Sequence, residues 1–138
     1  FNNVVRWAQQ TDLPEGGKII DQPWVQINLA KVRAGVEALK LVCYKQAWAM
    51  TEGQLDMADA SAAKVYGSEF FIEVYRLLGE VIGQASLINR RTPGADPIAS
   101  RIERLYRTAS IITFGGGTNE IQRDIISAAG LWMPRASR

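Results

Sequence analysis

The segment best suited to chemistry is Phe114-Gly-Gly-Gly-Thr-Asn-Glu-Ile-Gln-Arg123. Its three consecutive glycines, Gly115, Gly116 and Gly117, supply a backbone that can take positive φ and come close to a bound molecule. Thr118 or Asn119 then stands where a helix N-cap is expected, and Asn119 and Gln122 have capping-box spacing. A glycine-rich loop opening into a helix N-terminus offers amide N–H groups to anionic or electron-rich ligands. The same residues also suit a plain interhelical turn, and composition alone leaves both readings open. A Walker phosphate loop is excluded, because no Gly-Lys-Ser/Thr sequence closes the run.

The remaining residues narrow the chemistry further. The 138 residues include no histidine and a single cysteine. Ser-His-Asp and Cys-His catalysis are therefore excluded, as are most zinc sites, and no metal site is expected. Acid–base chemistry would have to use carboxylates, lysine or tyrosine. Cys43 cannot form an internal disulfide, which suits a reducing compartment, and its apolar neighbours Leu41, Val42 and Tyr44 predict a buried, inert thiol. Charge is nearly balanced, with 16 Lys and Arg against 14 Asp and Glu. Arg101, Arg104 and Arg107 recur at helical spacing, with Arg90–Arg91 in a separate loop. They predict a solvated or subunit-pairing face, with a phosphate-binding stripe as the other reading. Nucleic acid is not an expected partner, since no aromatic residues interleave the charges. No apolar run is long enough for a membrane span and no signal segment leads the chain, so the cytoplasm is the expected compartment.

The elements that must hold the glycine loop read as helices. Residues 1–10 resemble the last turns of a helix, broken by Leu13-Pro-Glu-Gly-Gly17. Such a start predicts a fragment: one C-terminal helical domain over residues 1–138, with N-terminal helical and β domains lying outside it. Asp21-Gln-Pro23 begins the next helix, with proline in its first turn. From there Val25, Leu29, Val32, Val36, Leu39, Val42 and Met50 form one apolar stripe, and Ile27, Ala34, Leu41 and Trp48 a second at intervals of seven. Two stripes predict a helix contacted on more than one side, running to about Thr51.

Glu52-Gly-Gln54 is a turn, followed by a helix from about Asp56 to Ala85. Its Gly67, Gly79 and Gly83 predict close packing of a neighbour, with Gly79 and Gly83 also able to end it early. Pro93-Gly94 marks a loop. A third helix starts near Pro97, with Ile98, Ile102, Leu105, Ala109 and Ile112 at four-three spacing, and the glycines stop it. A last helix is expected from about Thr118 to Ala129. Only Ile111 to Phe114 offers a strand candidate. The fold class is all-α, an antiparallel bundle of about four long helices.

Residues 106–126, Tyr106-Arg-Thr-Ala-Ser-Ile-Ile-Thr-Phe-Gly-Gly-Gly-Thr-Asn-Glu-Ile-Gln-Arg-Asp-Ile-Ile126, closely resemble the C-terminal signature of acyl-CoA dehydrogenases. The family's common form is Tyr-Arg-Asp-Ala, then Ile-Tyr-Glu-Gly-Thr-(Ser/Asn)-(Glu/Gln)-Ile-Gln-Arg. Upstream, Arg6-Trp7-Ala8 and the long helices match the family's C-terminal bundle in order and length. The resemblance implies an FAD-dependent enzyme that oxidises acyl-CoA thioesters to 2,3-enoyl-CoA. In such enzymes a glutamate removes the proton beside the carbonyl and the flavin accepts a hydride. It further implies flavin contacts at Gly115, Gly117, Thr118 and Glu120, and an acyl-CoA substrate in the full assembly.

This chain departs from the family pattern in three places. The catalytic glutamate position falls on Gly116, which carries no acid–base group. The turn Leu13-Pro-Glu-Gly-Gly-Lys18 holds no arginine where the family contacts flavin across a subunit interface. The segment Gly79-Glu-Val-Ile-Gly-Gln-Ala85 keeps only fragments of a second flavin-holding loop. Glu120 lies four residues past the family position and is expected to point elsewhere. Some family members carry the glutamate on the helix preceding the equivalent of Phe1. These departures imply a homo- or hetero-oligomer, a dimer or dimer of dimers, in which a second chain can supply the chemistry. Such hetero-oligomers occur among family members of bacteria that degrade sterol side chains. The competing reading is a non-catalytic helical interaction or partner subunit. On either reading the segment alone is expected to be inactive.

Overall fold

A computed structural model of the chain describes residues 1–134. Across them five α-helices follow in order: α1 (Asn2–Gln10), α2 (Pro23–Thr51), α3 (Met57–Ile82), α4 (Pro97–Ala109) and α5 (Asn119–Ile125). Single 3-10 turns at Ile19–Asp21, Gly83–Leu87 and Ser110–Thr113 link them, and a π-turn at Ile126–Gly130 extends α5. No strand occurs among the described residues; Asp12 and Lys18 make one isolated bridge. The architecture is the expected helical bundle, although only α2 and α3 are long.

Local chemistry sets the boundaries. Pro23 and Pro97 occupy first turns, where a missing N–H breaks no helical bond. The Asp96 carboxylate accepts from the amides of Ile98 and Ala99, both at 2.8 Å, and Asp56 caps α3 through Ala58 N–H at 2.9 Å. Gly83, at φ +75°, ends α3 in a conformation that side chains disfavour. The third helix stops at Ala109, short of its predicted end. Its four-three spacing runs on to Ile112, but Ile111 and Ile112 are exposed, so no burial holds the α form there. The strand candidate at Ile111–Phe114 is largely this 3-10 turn, and the last helix widens into its π-turn at Ile126.

The helices α2 and α3 run antiparallel. Asn28 near the start of α2 donates to Glu80 near the end of α3 at 3.0 Å, and Gln46 donates to the Asp59 carbonyl at 2.9 Å. Between these ties the two helices touch at Gly35. A Cβ there would lie 2.1 Å from the Phe70 ring, so only glycine admits this approach. Gly67, by contrast, would meet Leu39 at an ordinary 3.6 Å. The core forms where α1, the first half of α2, the second half of α3 and α4 converge. It comprises Val4 and Ala8, Val25, Leu29 and Val32, Val74, Leu77, Leu78, Val81 and Ile82, with Ala99 and Ile102. Each larger side chain stabilises the fold by about 1.5–3 kcal/mol on burial.

One expectation fails on α2, and its second stripe finds no neighbour among the described residues. The first stripe is buried through Val32, but the second is uncovered: Ile27 is 54% exposed, Leu41 68% and Trp48 60%. The chain itself therefore supplies a neighbour on one side only. Cys43 is exposed rather than buried, because its apolar neighbours Leu41 and Tyr44 belong to that uncovered side.

Candidate functional site

The glycine loop sits between the 3-10 turn after α4 and the first turn of α5. Gly116 and Gly117 have φ of +71° and +95°, the left-handed region where glycine is favoured. At position 116 a Cβ would meet nothing within 4 Å, so open space faces the backbone there. At 117 it would lie 2.8 Å from Nε2 of Gln122. That amide donates to the Gly116 carbonyl at 3.0 Å and folds the loop back on α5. Gln122 therefore binds the loop instead of completing a capping box with Asn119. Thr118 is the cap; its hydroxyl accepts from Ile121 N–H at 3.3 Å.

A polar network pins this loop to α3. Asn119 is only 4% exposed, and its side-chain oxygen accepts from Lys64 Nζ at 2.6 Å and from Ser68 Oγ at 3.0 Å. Lys64 also donates to the Thr113 carbonyl at 2.8 Å, tying together both ends of the loop. The Asn119 amide donates to Glu69 at 3.3 Å, and Arg123 donates to the same carboxylate oxygen at 2.6 Å. A buried amide costs free energy unless bonded, and here both of its polar atoms have partners. Sequence reading missed Lys64, Ser68 and Glu69. Their i, i+4, i+5 spacing puts polar groups on one side of an otherwise apolar helix, which was the available signal.

The candidate residues Gly115, Gly116, Gly117, Thr118 and Glu120 are thus contiguous and exposed, on a loop held from beneath. Glu120 lacks the character of a neutral-pH base. Its own backbone amide, then the Thr118 hydroxyl, hold its carboxyl below the ordinary 4.5. A general base benefits from the opposite shift, toward the working pH. The other two segments weighed for flavin contact are engaged locally. Lys18 donates to Asp12 at 2.5 Å and to the Gln10 carbonyl at 3.1 Å. Beyond α3, Ser86 donates to the carbonyls of Gly79 and Gly83 at 3.0 and 2.7 Å, closing that segment into a 3-10 turn.

Comparison with known proteins agrees with this architecture. The sequence model of the acyl-CoA dehydrogenase C-terminal domain matches residues 1–131. Acyl-CoA dehydrogenase FadE26 of Mycobacterium tuberculosis (strain ATCC 25618 / H37Rv) is 49% identical over 142 residues, covering 100% of this chain and 35% of the relative. FadE29 of the same organism is 32% identical over 140 residues, covering 100% and 34%. Among solved structures, the ChsE4-ChsE5 complex from Mycobacterium tuberculosis gives a TM-score of 0.89 at 48% identity, covering 98% of this chain and 35% of that one. The Tcur3481-Tcur3483 steroid ACAD gives 0.86 at 40% identity, covering 98% and 33%. The chain thus spans about a third of the length of these relatives. By sequence match and by fold, the chain belongs to the acyl-CoA dehydrogenase family, as its C-terminal helical domain.

Proposed function

We propose that this chain is the flavin-contacting and subunit-assembling domain of an FAD-dependent acyl-CoA dehydrogenase, one that leaves the proton-abstracting group to another segment or subunit. The observation that carries the reading is Gly116: a left-handed glycine facing open space, on a loop that a buried network holds in place. A bare, pinned backbone suits close approach of a planar cofactor, so the residues present fit the group on this side. Gly115, Gly117 and Thr118 would lie against the flavin, with Glu120 at the rim. When bound, the flavin supplies the hydride acceptor for oxidation of an acyl-CoA thioester. The chain's own part is to present amides and a hydroxyl and to exclude side chains from the approach.

A hetero-oligomer is part of the same reading. The uncovered stripe of Ile27, Leu41 and Trp48 suits a partner helix, and the related ChsE4-ChsE5 and Tcur3481-Tcur3483 proteins are two-component assemblies. A steroid side-chain thioester is the substrate class suggested by the steroid ACAD. A cytoplasmic location accords with the unpaired Cys43. The second reading, a non-catalytic partner subunit, is favoured by one observation: the segments at 13–18 and 79–87 spend their polar groups on themselves.

Flavin per polypeptide, measured on the full-length protein purified with whatever accompanies it, separates the two. Bound flavin that bleaches on adding an acyl-CoA supports the dehydrogenase reading. An intact assembly without flavin overturns it and leaves the partner-subunit reading.

A further inference from the structure

Lys64 reaches the glycine loop from α3 at both of its ends. Its Nζ donates to the Thr113 carbonyl at 2.8 Å, ahead of the glycines, and to the Asn119 side-chain oxygen at 2.6 Å, beyond them. Residues 114–118 lie between these two oxygens, and Gly115, Gly116 and Gly117 among them lose the most conformational freedom when held in one arrangement. The Gln122 amide closes the loop on α5, the helix that the loop itself leads into, so that bond sets no position relative to α3.

The partners of Lys64 are chemically telling. The side chain is partly buried, and both oxygens it reaches are neutral. The network's carboxylate, Glu69, is held instead by Arg123 at 2.6 Å. Withdrawing an ammonium from water costs free energy, offset here by bonds to the loop rather than by a countercharge. A charged donor also makes each such bond about twice as strong as a neutral one. Ser68 supplies the contrast. Its single hydroxyl proton is shared between Asn119 at 3.0 Å and the Val65 carbonyl of its own helix at 3.1 Å, both away from the front end of the loop.

We infer that Lys64 is a positioning residue: through the Thr113 carbonyl and Asn119 it holds the glycine loop where the loop contacts the flavin. The inference rests on the flavin-contact reading of that loop, and the ammonium acts through the loop.

Hydrogen exchange read by mass spectrometry, on the full-length protein with its co-purifying partner, tests the pin without reference to flavin. The amides of Gly115 and Gln122 report the two ends of the loop, bonded to the Ile111 carbonyl at 3.1 Å and the Thr118 carbonyl at 3.0 Å. In Lys64→Met both should exchange at least about tenfold faster, the worth of one charged hydrogen bond. In Ser68→Ala only the Gln122 end should respond. Core amides of α3 between Val74 and Ile82 should keep their wild-type rates in every variant, whereas a merely structural role would accelerate them with the loop. Lys64→Arg, whose guanidinium can donate to both oxygens, should restore most of the protection. Lys64→Met leaves Asn119 bonded to Ser68 and Glu69, so the fold should survive; Lys64→Gln serves if it does not.

FAD affinity is measured alongside, by fluorescence titration after the cofactor is removed. Its dissociation constant should rise at least about threefold in Lys64→Met, because a released loop lowers the fraction of protein competent to bind. Lys64→Arg should bring it back. The inference is overturned if Lys64→Met leaves loop exchange unchanged, if the core amides accelerate as much as the loop, or if loop exchange rises while FAD affinity holds. Failure of the flavin reading itself looks different: a wild-type assembly that takes up no FAD removes that reading, and the role given to Lys64 with it, whatever the exchange rates show.

Discussion

Gly116 and Gly117 look alike in sequence but carry different constraints. Both need left-handed backbone, which costs a side-chain residue about 1–3 kcal/mol. Only Gly117 also faces a neighbour: a methyl group added there would stand 2.8 Å from Gln122, whose amide is the one closing the loop. Gly117→Ala should therefore destabilise the protein by more than Gly116→Ala, with Gly115→Ala least disruptive because its φ is not left-handed. Denaturant midpoints of the three variants check this order; equal losses at 116 and 117 would mean that the Gln122 contact contributes nothing. The glycine run was legible in sequence, and the cap was narrowed to Thr118 or Asn119, of which the structure uses Thr118. The Lys64–Asn119–Ser68 network was not legible, because it joins residues more than fifty positions apart, and local spacing carries no record of such a pairing.

Among the elements, helix starts were readable and helix faces less so. Proline in the first turn with Gln22 or Asp96 before it marks α2 and α4 through backbone geometry that needs no tertiary information. Which stripe of α2 is covered depends on where α3 lies, and Val25, Leu29, Val32 and Ile27, Leu41, Trp48 are equally periodic. The close approach to α3 falls at Gly35, a residue that periodicity did not single out. On the surface of α3, Glu73 pairs with Arg76 at 2.6 Å. Hydrogen bonding to Arg76 holds the Glu73 carboxyl below its ordinary 4.5. A lowered folded value contributes stability that is present above the unfolded value and lost as pH falls through the folded one. The pair is half exposed, so Glu73→Gln should cost under about 1 kcal/mol at neutral pH. That cost should vanish once acid has protonated the wild-type carboxyl. Urea unfolding followed from neutral pH into the acid limb measures it; a cost that persists in acid would point to packing instead.

At the scale of the whole molecule, the exposed stripe on α2 departs from a self-sufficient fold. Ile27, Leu41 and Trp48, with Tyr44 69% exposed beside them, leave apolar surface of the kind that marks an interface. Leu41→Asp with Trp48→Ser should dissociate the full-length assembly while leaving each subunit folded. Sedimentation velocity should then show a drop to smaller species; an unchanged sedimentation coefficient would place the partner contact elsewhere. The core residues Val25, Leu29 and Val32 lie on the opposite stripe, so the helical content should persist.

Gly35 and Phe70 give the bundle an axial reference mark. Were α2 to slip along α3 by one helical turn, the Phe70 ring would meet the position of Lys31 or Leu39, and neither side chain leaves room for it. The two long helices are therefore indexed to each other to within a turn. The exposed apolar stripe rides on α2 and the glycine loop is fastened to α3 through Lys64. Any assembly built on that stripe consequently sets the spacing between glycine loops of neighbouring subunits, as a dowel sets the spacing of two plates.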